Sequence, residues 1–239
     1  MGVLINYLSD VLPEKRKLVV PFCSKCKAGF PLHNYFIWPR KCSNCLTIRS
    51  WRTWFIEVLV ILSSIWLWNH PVEELDYLLS ILLLSYLLIV TVIDIENRLI
   101  LHVVSLFGAF LGFWVGTLLH GLVPTLIGGI AGFGMMLLFY LLGFLFLKLT
   151  RKNRNIKTDE EEALGFGDVN LGGIIGLILG WPGVVMGIVL AIFLAGGVSL
   201  AFLLYMVVKR RYKPDLAIPY GPFLTISVIL LLYLRDIFA

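Results

Sequence analysis

The stretch LLSILLLSYLLIVTVID, residues 78–94, decides the fold of this chain, because it is a nearly unbroken apolar run that ends on a carboxylate. Its length approaches the roughly 20 residues that a helix needs to cross a hydrocarbon core about 30 Å thick. Comparable apolar blocks recur along the chain, at 53–69, 75–94, 99–119, 122–148, 168–181, 183–208 and 219–236. The sequence therefore predicts an all-α, polytopic bundle of about seven transmembrane helices.

The overall composition agrees with this prediction. Of the 239 residues, 59% are hydrophobic and 15% charged, whereas soluble domains are about 25% charged. This excludes a soluble globular domain. The turn-forming Trp181-Pro-Gly183 separates the fifth block from the sixth. We expect the short fifth block, 168–181, to end inside the bundle. Repeated glycines in the fourth and fifth blocks predict close helix packing.

Lys and Arg residues predict the orientation. All but Arg235 of the 20 basic residues precede the first predicted span or fall in the loops after the second, fourth and sixth spans. Short basic loops stay in the cytoplasm, so we assign this face to the cytoplasm. The sequence pI near 9.0 then reflects topology and attraction to anionic membrane lipids, and we expect no nucleic-acid partner.

The four cysteines form two Cys-x2-Cys pairs separated by fifteen residues, namely Cys23, Cys26, Cys42 and Cys45. This spacing lets four thiolates converge on one Zn²⁺ in a closed, structural site. Disulfides or free thiols are the alternative, but a cytoplasmic loop is reducing, which favours zinc. The composition changes near residue 53. We therefore predict a cytoplasmic zinc-binding region over 1–52 and a transmembrane bundle over 53–239.

Two aspartates lie at the same predicted edge of the bundle. Asp94 ends the second block and Asp168 opens the fifth. Taken singly, Asp94 has a simpler explanation as a helix-flanking charge and Asp168 as a helix N-cap. Carboxylates at matching depth can instead share one site in which only one of them is ionised near neutrality. Such a pair can hydrolyse a peptide bond, and Gly165 and Gly167 would let a substrate strand approach Asp168 closely.

The stretch Gly165-Phe-Gly-Asp168, the membrane-edge Asp94 and the four-cysteine loop together resemble the type IV prepilin peptidases, which are intramembrane aspartyl proteases of bacteria. The similarity extends over the whole chain and includes Leu179-Gly-Trp181 and Ile218-Pro-Tyr-Gly-Pro-Phe-Leu224. The Gly-x-Gly-Asp element alone is shared with presenilin-like proteases, and the cysteine loop favours the bacterial family.

This resemblance implies the activity. We expect an aspartic endopeptidase of the bacterial cytoplasmic (inner) membrane that cleaves the basic leader from prepilins or pseudopilins of type IV pilus and type II secretion systems. Asp94 and Asp168 are the catalytic pair that the resemblance implies. Relatives also methylate the new amino terminus with S-adenosyl-L-methionine, and Glu57 matches a family glutamate near the cysteine region, so we assign methyl transfer to it.

The chain departs from the family pattern at three places. It has Leu101 where relatives usually carry Pro, and Asn170 where they usually carry Lys. Relatives contain eight spans and begin with a complete additional span, of which residues 2–13 resemble only the end. Crossing the bilayer would take roughly a dozen further apolar residues. We therefore expect either that the start is placed too late or that this helix is missing.

A different class of function also fits some of these features. The aspartates can carry protons or ions through a non-catalytic membrane assembly or transport protein, in which the zinc loop docks a partner. Cleavage of a prepilin by the wild type but not by Asp94→Asn or Asp168→Asn would separate the two interpretations.

Overall fold

The computed structural model describes residues 1–23, 25–26, 28–30, 32–36, 40–72, 74–154, 165–209 and 219–234. The described part is helical, with isolated β-bridges in the cysteine region as its only extended pairing. Its helices are α1 (Gly2–Lys15), α2 (Leu32–Phe36), α3 (Trp51–Asn69), α4 (Tyr77–Asn97), α5 (His102–His120), α6 (Leu122–Arg154), α7 (Phe166–Leu179), α8 (Gly183–Val208) and α9 (Gly221–Tyr233). The all-α prediction is confirmed.

Each of the seven predicted blocks corresponds to one helix, from α3 to α9. Five of these are long and apolar enough to cross a membrane: α3, α4, α5, the part of α6 over Leu122–Phe146, and α8. The other two, α7 and α9, have 14 and 13 residues. At 1.5 Å per residue α7 is about 21 Å long, well short of the hydrocarbon core.

Turn residues set the helix ends. Gly121, with φ 83°, ends α5 and donates its amide to the Thr117 carbonyl. Gly180, with φ 61°, ends α7 in the same way, and Pro182 precedes the first turn of α8. These left-handed conformations cost glycine no steric penalty. The predicted break at 181–183 is confirmed, while α6 extends six residues beyond its predicted end.

The chain divides into two compact units, Met1–Ile93 and Asp94–Ala239. In the first unit α1 packs along α3. Their shared apolar core contains Ile5, Ile56 and Val60, with Leu88, Ile89 and Val92 of α4 packed against it. Helix α1 was anticipated only as the remnant of a span, and in the structure it is the element on which the cysteine region rests.

In the second unit α7 contacts α5, α6, α8 and α9. Most of its side chains are buried, including Leu171, Ile175 and Ile178. By contrast, α8 exposes large apolar side chains such as Phe193 and Leu200 along its length, as expected of a surface that faces lipid. Because protein surrounds α7 on several sides, this helix does not itself need to reach both interfaces.

Glycines bring α6 and α7 together. A Cβ placed on Gly128 would overlap the Gly176 carbonyl oxygen and lie 2.6 Å from the Gly180 carbonyl carbon. A Cβ on Gly132 would overlap the Gly172 carbonyl oxygen. These neighbours are backbone atoms, which cannot rotate away. The prediction that the glycines permit close helix packing is confirmed at these positions.

We expect Gly128→Ala to destabilise the second unit by about 1–3 kcal/mol, as overpacking of a tight contact does. The matched control is Gly134→Ala on the same helix, where nothing lies within 4 Å of the added Cβ. Thermal unfolding of the purified protein in detergent measures both variants. An equal unfolding temperature for Gly128→Ala and Gly134→Ala would contradict the packing argument.

Candidate functional site

Asp94 lies in the last turn of α4, where its side chain is buried. The backbone amide of Gly221 donates a hydrogen bond of 3.0 Å to Asp94 Oδ2. Gly221 begins α9, so the carboxylate occupies a position where the helix dipole and a free amide favour negative charge. Asp94 is therefore more than a flanking charge, because it links the ends of two helices within the second unit.

Asp168 is the third residue of α7 and is half-buried. The N-cap position belongs to Gly165, and the helix has no side-chain cap hydrogen bond. The explanation of Asp168 as an N-cap is therefore wrong. Its carboxylate lies within electrostatic range of Asp94 and of the Tyr220 phenol. The structure thus brings together the two predicted aspartates and adds Tyr220 beside them.

The two glycines of the Gly-x-Gly-Asp element differ in their surroundings. A Cβ on Gly167 would lie 2.8 Å from the Ile100 Cβ, so this glycine is needed for contact within the protein. At Gly165 the nearest atom is Asp168 Oδ2 at 3.7 Å, which is ordinary contact. Gly165 is also exposed. It therefore remains the better candidate for the predicted close approach of a substrate strand.

The Pro219-Tyr-Gly-Pro222 stretch allows two interpretations from sequence: a helix start with proline in its first turn or, by resemblance to the family, a part of the site. The helix start is confirmed. The contact of Gly221 with Asp94 is not predicted from the sequence. A Cβ on Gly221 would lie 2.5 Å from Asp94 Oδ2 and 3.0 Å from its Cγ. The sequence did contain an indication of this contact, namely a glycine between two prolines at the start of a helix. A glycine at such a position allows another part of the chain to approach the backbone closely.

Two residues near the site, Leu101 and Asn170, differ from those usual in the family. At Leu101 the backbone has a conformation that proline could also adopt. It is the N-cap of α5 with φ −73°, close to the value that a proline ring imposes. The absence of proline therefore does not alter the path of the chain after Asp94. Asn170 is half-buried on α7, two residues beyond Asp168.

The four cysteines converge. Their sulfur atoms all lie within 4.8 Å of one another, with 3.5 Å between those of Cys23 and Cys45 and 3.6 Å between those of Cys26 and Cys42. A disulfide would require about 2.05 Å, whereas four thiolates about 2.3 Å from one metal ion stand roughly 3.8 Å apart. The group can therefore hold a metal ion.

Each cysteine pair sits on a small hairpin closed by a β-bridge, Phe22 with Gly29 and Lys41 with Ile48. The second hairpin, with Cys42 and Cys45, also favours thiolates. Hydrogen bonds from the Thr47 hydroxyl and amide lower the pKa of the Cys45 thiol to about 6. Backbone amides of residues 45 and 44 lower the pKa of Cys42. Deprotonated sulfur is the form that binds metals.

The cysteine hairpins have a small aromatic core. Cys23, Phe30, Tyr35 and Cys42 are buried together, and Tyr35 meets the edge of the Phe30 ring with 5.6 Å between centroids. The Tyr35 hydroxyl donates to Asp10 Oδ2 at 2.6 Å. Burial and the charge of Asp10 both raise the pKa of this phenol, so it stays a donor. Asp10 on α1 thereby anchors the metal-binding region.

Two arginines complete this anchor. Arg49 donates to Asp10 Oδ2 at 2.9 Å and places its guanidinium 3.8 Å from the Tyr35 ring centroid. Arg52, at the start of α3, forms an ion pair with Asp10 Oδ1. A carboxylate shared by two guanidinium groups and a phenol joins α1, the cysteine region and α3.

Glu57 lies one and a half turns into α3 and is largely buried. Its Oε2 forms an ion pair of 2.8 Å with Arg40, whose guanidinium lies 4.7 Å from the Trp54 ring centroid. Glu57 Oε1 is buried and has no hydrogen-bond partner among the described residues. Asn6 Oδ1, on α1, is in the same condition. A buried acceptor without a partner is a position where an ordered water or a bound group would supply a donor.

Comparison with known proteins places this geometry in context. Residues 81–200 match the model of the type IV leader peptidase family. The chain is 27% identical over 241 residues to a protein of Aeromonas salmonicida named prepilin leader peptidase/N-methyltransferase, covering 93% of this chain and 76% of that protein. A protein of the same name from Legionella pneumophila is 26% identical, with 93% and 75% covered. No solved structure matches significantly. The chain belongs to the type IV leader peptidase family.

Proposed function

We propose that this protein is an intramembrane aspartic endopeptidase that removes the leader from type IV prepilins or pseudopilins, and that it methylates the new amino terminus. The observation that carries the proposal is the meeting of Asp94 and Asp168 in one unit of a chain that belongs to the leader peptidase family. Both activities appear in the names of its relatives. The proton- or ion-carrying alternative is not favoured, since it leaves this family membership unexplained.

The aspartate pair supplies a complete route for hydrolysis. The ionised carboxylate takes a proton from water, whose oxygen attacks the scissile carbonyl carbon. The protonated carboxyl gives its proton to the carbonyl oxygen as the π bond breaks. The first carboxyl then protonates the amine nitrogen as the C–N bond breaks. The second carboxylate takes back the proton of one hydroxyl on the tetrahedral carbon, which restores the C=O bond and the starting state of the pair. The Gly221 amide holds Asp94 in one orientation during these transfers.

For methyl transfer we propose the first unit, where Glu57 and Asn6 present unpartnered buried acceptors. S-adenosyl-L-methionine would supply an electrophilic methyl group when bound. The chain's own contribution is to hold the acceptor amine and exclude water. Arg40, bonded to Glu57 Oε2, fixes the carboxylate so that Oε1 faces a defined direction.

We further propose Zn²⁺ as the metal of the cysteine region. Four sulfur ligands at mutual distances below 4.8 Å suit a tetrahedral ion that has no preferred d-electron geometry. Cys23, Cys26, Cys42 and Cys45 would hold it, and no position would be left for water. Its contribution would be to join the two hairpins.

The location and organisation follow from the same proposal. Five apolar helices make a multi-pass membrane protein, and the distribution of Lys and Arg supports a cytoplasmic position for Asp94 and Asp168. We assign methyl transfer and metal binding to 1–52 with the start of α3, and proteolysis to the remainder. Prepilin or pseudopilin substrates and membrane lipids are the partners.

Neutralising either aspartate is expected to reduce leader cleavage at least about hundredfold, because each carries one proton transfer. Asp94→Asn and Asp168→Asn keep the side-chain volume. Glu96→Gln, two residues beyond Asp94 and exposed, is the matched control and is expected to cleave like the wild type. Conversion of prepilin to mature pilin on a gel measures all three. Wild-type cleavage by either Asn variant would rule out the dyad.

Gly221→Ala is expected to lower cleavage at least about tenfold, since the added methyl group would lie 2.5 Å from Asp94 Oδ2 and displace the carboxylate. Gly196→Ala adds the same group on α8 with nothing within 4 Å and is expected to have no effect. Initial cleavage rates of both variants in membranes provide the measurement. Equal rates would show that Gly221 does not orient Asp94.

The purified protein is expected to contain one Zn²⁺ per chain, and Cys42→Ser is expected to lose most of it because a hydroxyl is a poor zinc ligand. Ser43→Ala, next to the same hairpin position, should retain the metal. Elemental analysis by mass spectrometry gives the stoichiometry. Stable, metal-free wild-type protein, or full zinc content in Cys42→Ser, would contradict the assignment.

A further inference from the structure

The end of the second cysteine hairpin has the reverse of the usual polarity. Over residues 46–49 the side chains alternate between the inside and the outside of the cysteine region. Thr47 and Arg49 lie inside, where both form hydrogen bonds within the region. Leu46 and Ile48 lie outside, with exposed fractions of 72% and 61%. Polar groups directed inward and large apolar groups directed outward are expected where the surroundings are not water.

The backbone at Leu46 does not require a leucine. Its φ is 54°, a left-handed conformation that disfavours a branched apolar side chain and that glycine adopts freely. The Leu46 amide donates to the Cys42 carbonyl at 3.0 Å and closes the turn around the metal ligands. Glycine would form the same bond at less steric cost. The turn therefore does not account for the apolar side chain.

Two exposed tryptophans indicate the depth of α3 in the membrane. Helix α3 is long and apolar enough to cross a bilayer, and Trp51 and Trp68, near its two ends, are 78% and 74% exposed. Their separation of 17 residues corresponds to about 25 Å along the helix. Tryptophan is enriched at the two membrane–water interfaces. Trp51 therefore marks one interface, and Ile48, three residues earlier, lies at most about 11 Å from it.

An ion pair holds the base of the hairpin beside α3. Arg40 forms a bond of 2.8 Å with Glu57 Oε2 and places its guanidinium 4.7 Å from the Trp54 ring centroid. Glu57 is the seventh residue of α3, about 9 Å along the helix from its first residue. Arg40 directly precedes Lys41, which forms the β-bridge with Ile48. This bridge is therefore within the reach of one arginine side chain from the second turn of α3.

We propose that Leu46 and Ile48 insert into the headgroup and upper acyl region of the membrane beside α3, which makes the second cysteine hairpin a lipid-binding element. The partner is a phospholipid leaflet. Lys41, exposed and bridged to Ile48, can extend its ammonium group to anionic headgroups while its stem stays on the apolar side chains. This inference is independent of leader cleavage and of methyl transfer.

Continuity with the exposed side of α3 favours phospholipid over a protein partner. The Trp51 ring stacks on Phe55 with 5.7 Å between centroids. Phe55, Val58 and Leu62 follow one another at helical spacing and are all exposed. In a helix that crosses the membrane such a row contacts acyl chains. The outward side chains of the hairpin precede this row directly in the sequence, so one lipid surface can cover both.

The test uses the full-length protein reconstituted in vesicles of phosphatidylethanolamine and phosphatidylglycerol. A diazirine-bearing amino acid replaces Ile48 or, in a second variant, Leu46, and ultraviolet light couples it to whatever lies in contact. Mass spectrometry identifies the adducts. Asn44, an exposed polar residue of the same hairpin, is the matched control position. Ile61, exposed in the middle of α3, is the reference position for contact with lipid.

Positions 46 and 48 are expected to yield at least about fivefold more phospholipid adduct than position 44, because a side chain about 5–10 Å below the membrane surface meets lipid and little water. Equal yields at positions 44 and 48, or adducts with water alone, would overturn the inference. Adducts with a second copy of the chain, or with added prepilin in place of lipid, would overturn it by assigning the surface to a protein.

The reverse experiment needs no substitution. Unmodified protein is placed in vesicles that contain a phospholipid with a diazirine near its headgroup, and the labelled peptides are mapped after digestion. Label is expected on residues 46–48 and at the start of α3, with residues 43–44 spared. A wild-type protein whose residues 46–48 carry no lipid label, while α3 does, would refute the insertion of the hairpin.

Discussion

The close contact between the backbones of α6 and α7 is the constraint on which the second unit depends. Carbonyl groups of one helix occupy the space that side chains would fill on the other, as between Gly128 and Gly176. This proximity lets a helix of 14 residues be enclosed by its neighbours α5, α6, α8 and α9. Asp168 lies in the first turn of this enclosed helix. Its depth in the bundle is therefore set by the contacts of α7 with its neighbours and not by the length of α7.

A second constraint acts at Asp94. The carboxylate is bonded to the first amide of α9, so the same group that is proposed to carry protons also satisfies a helix terminus. Such a double role keeps the side chain in one rotamer. It also makes the beginning of α9 part of the site, although Gly221 follows Asp94 by more than 120 residues in the sequence.

Much of this could be predicted from the sequence. Apolar blocks, basic loops and cysteine spacing depend on local composition, and the predicted helices agree with α3 to α9. The bond from Gly221 to Asp94 could not be predicted, because it depends on how distant helix ends meet. The same is true of Asn6 and Glu57, whose significance lies in oxygen atoms left without donors. Asp168 also looked like an ordinary N-cap until the structure assigned that position to Gly165.

The two cysteine hairpins repeat one design. Each pairs residues seven apart, Phe22 with Gly29 and Lys41 with Ile48, and the two copies stand 19 positions apart in the chain. Each hairpin contributes half of the ligands, and its own β-bridge fixes the spacing of its two cysteines. The connecting segment supplies no ligand, but its Phe30 and Tyr35 pack against Cys23 and Cys42. A change in the length of either hairpin would separate its two sulfur ligands, whereas a change in the connecting segment would act through the contacts of Tyr35.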